Sequence, residues 1–128
     1  MSDAGSKSGI KSHRDLIVWQ KAMELVVAVY HTCKHYPKDE TYGLIDQTRR
    51  AAVSIPANIA EGQGRRKPKE FEQFLANARG SLLELDTHLE IALRLEYLNS
   101  SQYSVLRTKL DEVGRLLNGL MRSIGSDI

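Results

Sequence analysis

The sequence predicts an all-α protein, an antiparallel up-and-down four-helix bundle behind a disordered N-terminal tail. Three observations predict it. Apolar residues recur at alternating three- and four-residue steps in four separate segments, the period of a helix that buries one face. Gly, Pro, Asn and Ser punctuate the joints between those segments, as turn chemistry requires. Aromatic residues make up 6% of the chain and hydrophobic residues 41% of its 128 positions, which suits one helical domain better than a sheet rich in aromatic and β-branched side chains.

Residues 1–13 carry Ser, Gly and Lys with Ile10 as the apolar exception, a composition that cannot bury enough surface to order itself. Residues 14–125 form the bundle domain. The first helix is expected from about Asp15 to His35. Leu16, Trp19, Met23, Val26, Tyr30 and Cys33 make its bundle-facing seam, and Val18, Ala22, Leu25 and Val29 a second stripe beside it. Two stripes give a wide apolar face that touches more than one neighbour. Tyr36-Pro37 ends this helix, because the residue before proline is pushed out of helical geometry. A second helix follows from Asp39–Thr41 to Glu61-Gly62, burying Ile45, Thr48, Ala52, Ile55 and Ile59. Pro56 lies inside it and either kinks it or divides it into two short helices at Ile55.

Gly62-Gln63-Gly64-Arg65-Arg66-Lys67 is expected as a loop, its glycines stopping the second helix. Pro68 suits the first turn of the third. That helix should reach Leu98 and bury Phe71, Leu75, Ala78, Leu82, Leu85, Leu89 and Ala92. Gly80 within it marks either close approach of another backbone or a tolerated imperfection costing about 1 kcal/mol. Asn99-Ser100-Ser101 turns the chain and caps the fourth helix. There Tyr103, Leu106, Leu110, Val113, Leu117, Leu120 and Ile124 step 3, 4, 3, 4, 3, 4 before Gly125 stops it. Helices joined by short loops make antiparallel neighbours around one core.

Several function classes lack their residues. A single cysteine, Cys33, allows neither an internal disulfide nor a cysteine-rich zinc site, and its place on an apolar stripe reads as a small buried hydrophobe. Met1–Lys11 lacks the apolar core of a signal peptide, and no apolar run approaches the ~18 residues of a membrane span. The cytoplasm is the expected location and no membrane partner is expected. No nucleophile elbow, phosphate loop or Glu-x-x-His motif occurs. His31 and His35 sit one turn apart where a cation favours a helix C-terminus. Glu84 and His88 flank the third helix's core line without the matching pairs that a bundle metal centre needs. No catalytic residue, metal or cofactor is assigned, and the protein is read as a non-enzyme.

Two surface features remain. Arg65, Arg66, Lys67 and Lys69 cluster at the loop, with Arg49 and Arg50 in the preceding helix. Net charge is only +2 with a pI near 8.7, so the cluster is either a phosphate-binding patch or a solvated loop beside Glu70 and Glu72. No aromatic residue is interleaved in it, so base stacking there is not indicated. The second feature is a polar stripe on the second helix, Gln47, Arg50, Ser54, Asn58 and Glu61. It is either solvent-exposed or a contact between copies of the chain, and Ala51, Val53 and Ala57 on the helix's other sides fit burial on more than one face.

The runs Asp15-Leu16-Ile17-Val18-Trp19-Gln20-Lys21-Ala22, Tyr42-Gly43-Leu44 and Arg49-Arg50-Ala51-Ala52-Val53-Ser54-Ile55-Pro56-Ala57-Asn58-Ile59-Ala60-Glu61-Gly62 occur in order, followed by Phe71, Phe74-Leu75, Gly80-Ser81-Leu82 and Glu84-Leu85. Together they closely resemble the bacterial four-helix-bundle family of 23S rRNA intervening-sequence proteins, also called the S23 ribosomal protein family, over about residues 14–124. The resemblance implies a four-helix bundle, a homopentameric ring as in characterised relatives, and a link to genes lying within rRNA intervening sequences. A related branch, the accessory protein of diversity-generating retroelements, is similar in fold, strongly basic, and binds nucleic acid and a reverse transcriptase. Where the family usually has Ser, this chain has Lys67-Pro68, an added charge at the third helix's start. The expected function is a non-enzymatic homo-oligomer contacting RNA or DNA phosphates through Arg49, Arg50, Arg65, Arg66, Lys67 and Lys69. The alternative is a scaffold or protein-interaction module with no nucleic-acid role.

Overall fold

Each amphipathic segment becomes one helix in the computed structural model, which describes residues 10–125. These are α1 (Ile17–Cys33), α2 (Leu44–Arg65), α3 (Pro68–Arg94) and α4 (Ser100–Gly125), with short 3-10 turns at His13–Asp15 and Lys38–Glu40 and no strand among the described residues. Each helix packs on the next in sequence, and α4 returns beside α1. The diagonal pairs face each other only across the core. This is the antiparallel up-and-down four-helix bundle that the periodicity predicts. The disorder expected of residues 1–13 falls for the most part on residues 1–9, outside the described residues. From Ser12 the chain is ordered by a capping box with Asp15.

The core is one cluster. It takes Val18, Ala22, Leu25, Val29 and Cys33 from α1, and Ile45, Thr48, Ala51, Ala52, Ile55 and Ile59 from α2. Leu75, Ala78, Leu82, Leu85, Leu89 and Ala92 come from α3, and Leu106, Leu110, Val113 and Leu117 from α4. Full burial of each large aliphatic side chain stabilises the fold by about 1.5–3 kcal/mol. In α1 the two expected stripes exchange roles. The small aliphatic stripe of Val18, Ala22, Leu25 and Val29 is the core, whereas Met23 and Tyr30 are exposed and Leu16, Trp19 and Val26 are half-buried. Periodicity alone favours neither stripe. The compact side chains fit the crowded interior between α2 and α4, and the bulky ones fit the edge.

Pro56 is buried inside an uninterrupted α2, so the division at Ile55 does not occur. The expected loop over Gly62–Lys67 is also corrected: α2 runs through both glycines to Arg65. Gly62 serves packing rather than termination. A Cβ there would lie 2.6 Å from Phe74 Cβ and 3.0 Å from the Phe71 ring, so only glycine lets α2 and the start of α3 approach this closely. The left-handed residue that ends α2 is Arg66, with φ 60°. Pro68 then opens α3 from its first turn, as expected. At its far end α3 stops at Arg94, short of the expected Leu98, where Glu96 turns left-handed with φ 62°. Asn99 caps α4 reciprocally with Gln102: Gln102 N–H donates to Asn99 Oδ1 at 2.8 Å and Asn99 N–H to Gln102 Oε1 at 2.9 Å.

Glu40 ties the two turns at this far end together. One carboxylate oxygen accepts from the Leu44 N–H at 3.1 Å and so caps α2; the other accepts from the Tyr97 hydroxyl at 2.7 Å. The Tyr97 hydrogen bond, then the Leu44 one, hold the Glu40 carboxyl below its ordinary 4.5.

Gly62→Ala lowers stability by about 1–3 kcal/mol in urea denaturation, because the added methyl overpacks the α2–α3 contact. Gly80→Ala, where a Cβ meets nothing within 4 Å, raises stability by up to about 1 kcal/mol. A Gly62→Ala protein as stable as wild type would contradict the close approach. For Glu40, a depressed carboxyl adds stability above its unfolded pKa and loses it as pH falls through the folded one. As pH falls below the ordinary carboxyl value of 4.5, the stability of Glu40→Gln therefore falls less steeply than that of wild type. Coincident profiles would remove the role assigned to this bond.

Candidate nucleic-acid interface

The up-and-down path sets which residues share an end. The start of α1, the α2–α3 turn and the finish of α4 lie together at one end of the bundle. The Gly62 contact keeps that turn short, so Arg65, Arg66, Lys67 and Lys69 follow one another around a single tight reversal. Arg65 lies 5.2 Å over the Phe74 ring and pairs with Glu61 at 2.9 Å. Lys67 reaches Glu70 at 3.7 Å. Arg66 and Lys69 are exposed. These pairs are solvent-facing i,i+4 or i,i+3 contacts of a few tenths of a kcal/mol, weak enough for a phosphate to displace.

The fold adds cations that sequence reasoning missed. Lys11 and Arg14 precede α1, and Arg122 lies in the last turns of α4, all at this same end. The 3-10 turn His13–Asp15 packs on both α1 and α2. Asp15 accepts the backbone N–H groups of Lys11 at 2.7 Å and Ser12 at 3.2 Å, which hold its carboxyl below the usual range. The Arg14 guanidinium lies 5.4 Å over Trp19, and the His13 ring meets Trp19 edge-on at 5.0 Å. Aromatic side chains thus share an end with the basic cluster although none lies within it in sequence. The signal was present in the run His13-Arg14 before Trp19, but only antiparallel packing brings it to the α2–α3 turn.

Arg49 and Arg50 are elsewhere. They lie at least 15 residues before Arg65 along α2, about 22 Å at the helical rise. The structure therefore divides the six expected phosphate-binding residues into two groups. Arg49 is half-buried against α1: it donates to the Tyr30 carbonyl at 3.2 Å and lies 4.6 Å over the Tyr30 ring. Beside it, burial pushes the Cys33 thiol up to about 11, and the Arg49 charge only partly offsets this; Cys33 is 2% exposed and free. Arg50 is exposed and pairs with Asp46 at 2.9 Å. With Tyr30, Asp46, Val53 and Ser54 these two arginines line a shallow groove.

The polar stripe on α2 makes its hydrogen bonds largely within the chain. Ser54 Oγ lies 2.8 Å from Ser81 Oγ on α3, and the Asn58 amide donates to the Ser54 carbonyl and hydroxyl at 2.8 and 3.0 Å. Glu61 faces Arg65, and Gln47 is exposed. On the α3–α4 side, Arg107 binds Asp86 through both terminal nitrogens and also reaches Asp111 at 3.2 Å and the Tyr103 hydroxyl at 3.1 Å. This network joins two helices. His88 is buried at 8% exposure with Glu84 3.9 Å away, while His31 and His35 are exposed. Among the described residues no three His, Cys, Asp or Glu side chains gather where they could hold a metal ion, and no helix is long and apolar enough to cross a membrane.

The sequence profile of the 23S rRNA-intervening sequence protein family matches residues 14–119. A crystal structure from Bacteroides thetaiotaomicron, described as a protein with unknown function from the S23 ribosomal protein family, superposes with a TM-score of 0.77. It shares 25% sequence identity, and the alignment covers 83% of this chain and 96% of that one. No curated protein matches the sequence. The helix order, the core and the profile agree, and this chain belongs to the 23S rRNA-intervening sequence protein family.

Proposed function

We propose that this protein is a non-enzymatic, cytoplasmic homo-oligomer that binds RNA or DNA phosphates through the basic end of its bundle. One observation carries the reading: Arg14 and the run Arg65, Arg66, Lys67 and Lys69 come from two segments far apart in sequence that share the end of the bundle where α1 starts and α2 turns into α3. Their carboxylate partners sit on exposed faces, so a polyanion can compete for them. Counterion release then supplies affinity without sequence preference. The family name, which refers to an insertion in ribosomal RNA, is consistent with such a ligand. Arg49 and Arg50 supply a second phosphate contact about 22 Å away along α2, reached by a longer nucleic acid. The ring of five implied by the family resemblance puts the outer edge of Gln47, Ser54, Asn58 and Glu61 at the contact between copies, with Arg50 at its rim and open to phosphate.

A second reading rests on a different observation. Tyr42 is 95% exposed, and Met23, Val27, Tyr30 and Val53 leave apolar surface around the α1–α2 groove. Such a surface suits a scaffold that docks another protein. Its expected signature is co-purification with a protein partner and no RNA mobility shift at low salt.

For the first reading, a structured RNA is retained at low salt and released as salt rises. Arg65→Ala, Arg66→Ala and Lys67→Ala together weaken retention and reduce the slope of log K against log salt by up to about 3. Unchanged retention and slope would remove the basic end as the binding surface. A mass in solution equal to one chain at all concentrations would remove the oligomer.

A further inference from the structure

We propose that the basic end takes single-stranded nucleic acid, with an unpaired base stacking on a platform built from His13, Arg14 and Trp19 beside the phosphate-binding turn. This rests on the phosphate reading above and names its ligand more narrowly.

The platform is held in shape before any ligand arrives. The Ser12–Asp15 capping box closes the turn. The Gln20 side-chain amide donates to the Arg14 carbonyl at 2.8 Å and ties the turn back to α1. Trp19, half-buried, gives the support. The Arg14 guanidinium lies 5.4 Å above its ring and the His13 ring meets it edge-on at 5.0 Å. Arg14 is exposed, so a guanidinium held 5.4 Å from the indole centroid is open to solvent. Bases stack on aromatic rings and on guanidinium planes. Pre-ordering of this kind lowers the entropy cost of binding.

Register places the platform next to the turn. Arg49 lies on Tyr30, which sets α1 and α2 level at those residues. Moving about 16 Å toward the shared end, α1 reaches Trp19 while α2 reaches Ala60. Arg65 and Arg66 lie about one and a half turns further, roughly 8 Å, level with the segment that carries Arg14. A strand of a few nucleotides can therefore lay phosphates on Arg65, Arg66 and Lys67 and one base on the platform. A duplex offers the same phosphates but keeps its base faces stacked inside. Preference for single strands is the consequence.

Trp19 is the chain's one tryptophan, so its emission reports the platform directly. The test is titration of the full-length protein, at low salt, with a ten-nucleotide single-stranded RNA and with a blunt duplex of the same sequence. The single strand is expected to change Trp19 emission and to bind about tenfold tighter than the duplex, the scale of one stacked base. His13→Ala with Arg14→Ala should remove most of that advantage, whereas duplex binding loses only the single phosphate contact of Arg14, a fall of about 0.9 in its salt slope. Arg14→Lys keeps the charge but not the plane, so it should lose the advantage and keep the salt slope. Arg65→Ala, Arg66→Ala and Lys67→Ala should weaken both ligands. If the single strand binds no tighter than the duplex, or binds without altering Trp19 emission, the platform is overturned and the phosphate reading stands. If neither ligand binds, both fail together.

Discussion

The contact between Gly62 and the two phenylalanines of α3 governs the arrangement of the basic end. A Cβ at Gly62 would sit 2.6 Å from Phe74 Cβ, so the absence of a side chain sets how near α2 lies to α3. That nearness lets the chain reverse between Arg65 and Pro68 without a loop. Phe74, placed by the same contact, carries the Arg65 guanidinium. Packing and surface charge are thus coupled through one residue. Pulling α2 from α3 here would lengthen the reversal and scatter its cations.

Elsewhere the polar surface satisfies itself. Arg107 is shared among Asp86, Asp111 and Tyr103, and these hydrogen bonds raise its pKa further. Glu90 takes Arg94 and Tyr103, hydrogen bonds that lower its carboxyl's pKa. Ser54 pairs with Ser81 across the α2–α3 seam. These groups join helices to one another or to their own next turn. The basic end gathers more cations than carboxylates: Arg14, Arg65, Arg66, Lys67 and Lys69 share it, Arg66 and Lys69 are exposed, and the ion pairs of Arg65 and Lys67 face solvent. Such an arrangement leaves positive potential available to a polyanion, which is why a chain of net charge +2 can still present a local phosphate site.

Much of the fold was legible in the sequence because helical period is a local property. The middle of the core lines of α2, α3 and α4 follows from apolar spacing, and Leu106, Leu110, Val113 and Leu117 are all buried, whereas Phe71, Tyr103, Leu120 and Ile124, expected in the same lines, are half-buried at the helix ends, where fewer neighbours cover them. In α1 two stripes compete, and the choice depends on the room left by α2 and α4, which no local pattern encodes. In the sequence Gly62 and Gly64 point to a helix stop, the usual role of glycine there; the use of Gly62 for close approach depends on Phe71 and Phe74 arriving from the next helix. The same limit applies to the site. Arg65–Lys69 stand out as a run, whereas His13, Arg14 and Trp19 join them only after an antiparallel return. Arg49 and Arg50 precede the run in sequence but lie along the same helix at a distance that separates them from it.

The most direct measurement is photo-crosslinking of the full-length protein to a short single-stranded RNA at low salt, with the crosslinked peptides mapped. Adducts are expected within residues 10–21 and 62–70, the two segments that meet at the basic end. Adducts confined to the opposite end, at Pro37–Gly43 or Leu95–Asn99, or to the α3–α4 face around Arg107, would contradict the basic end as the binding surface.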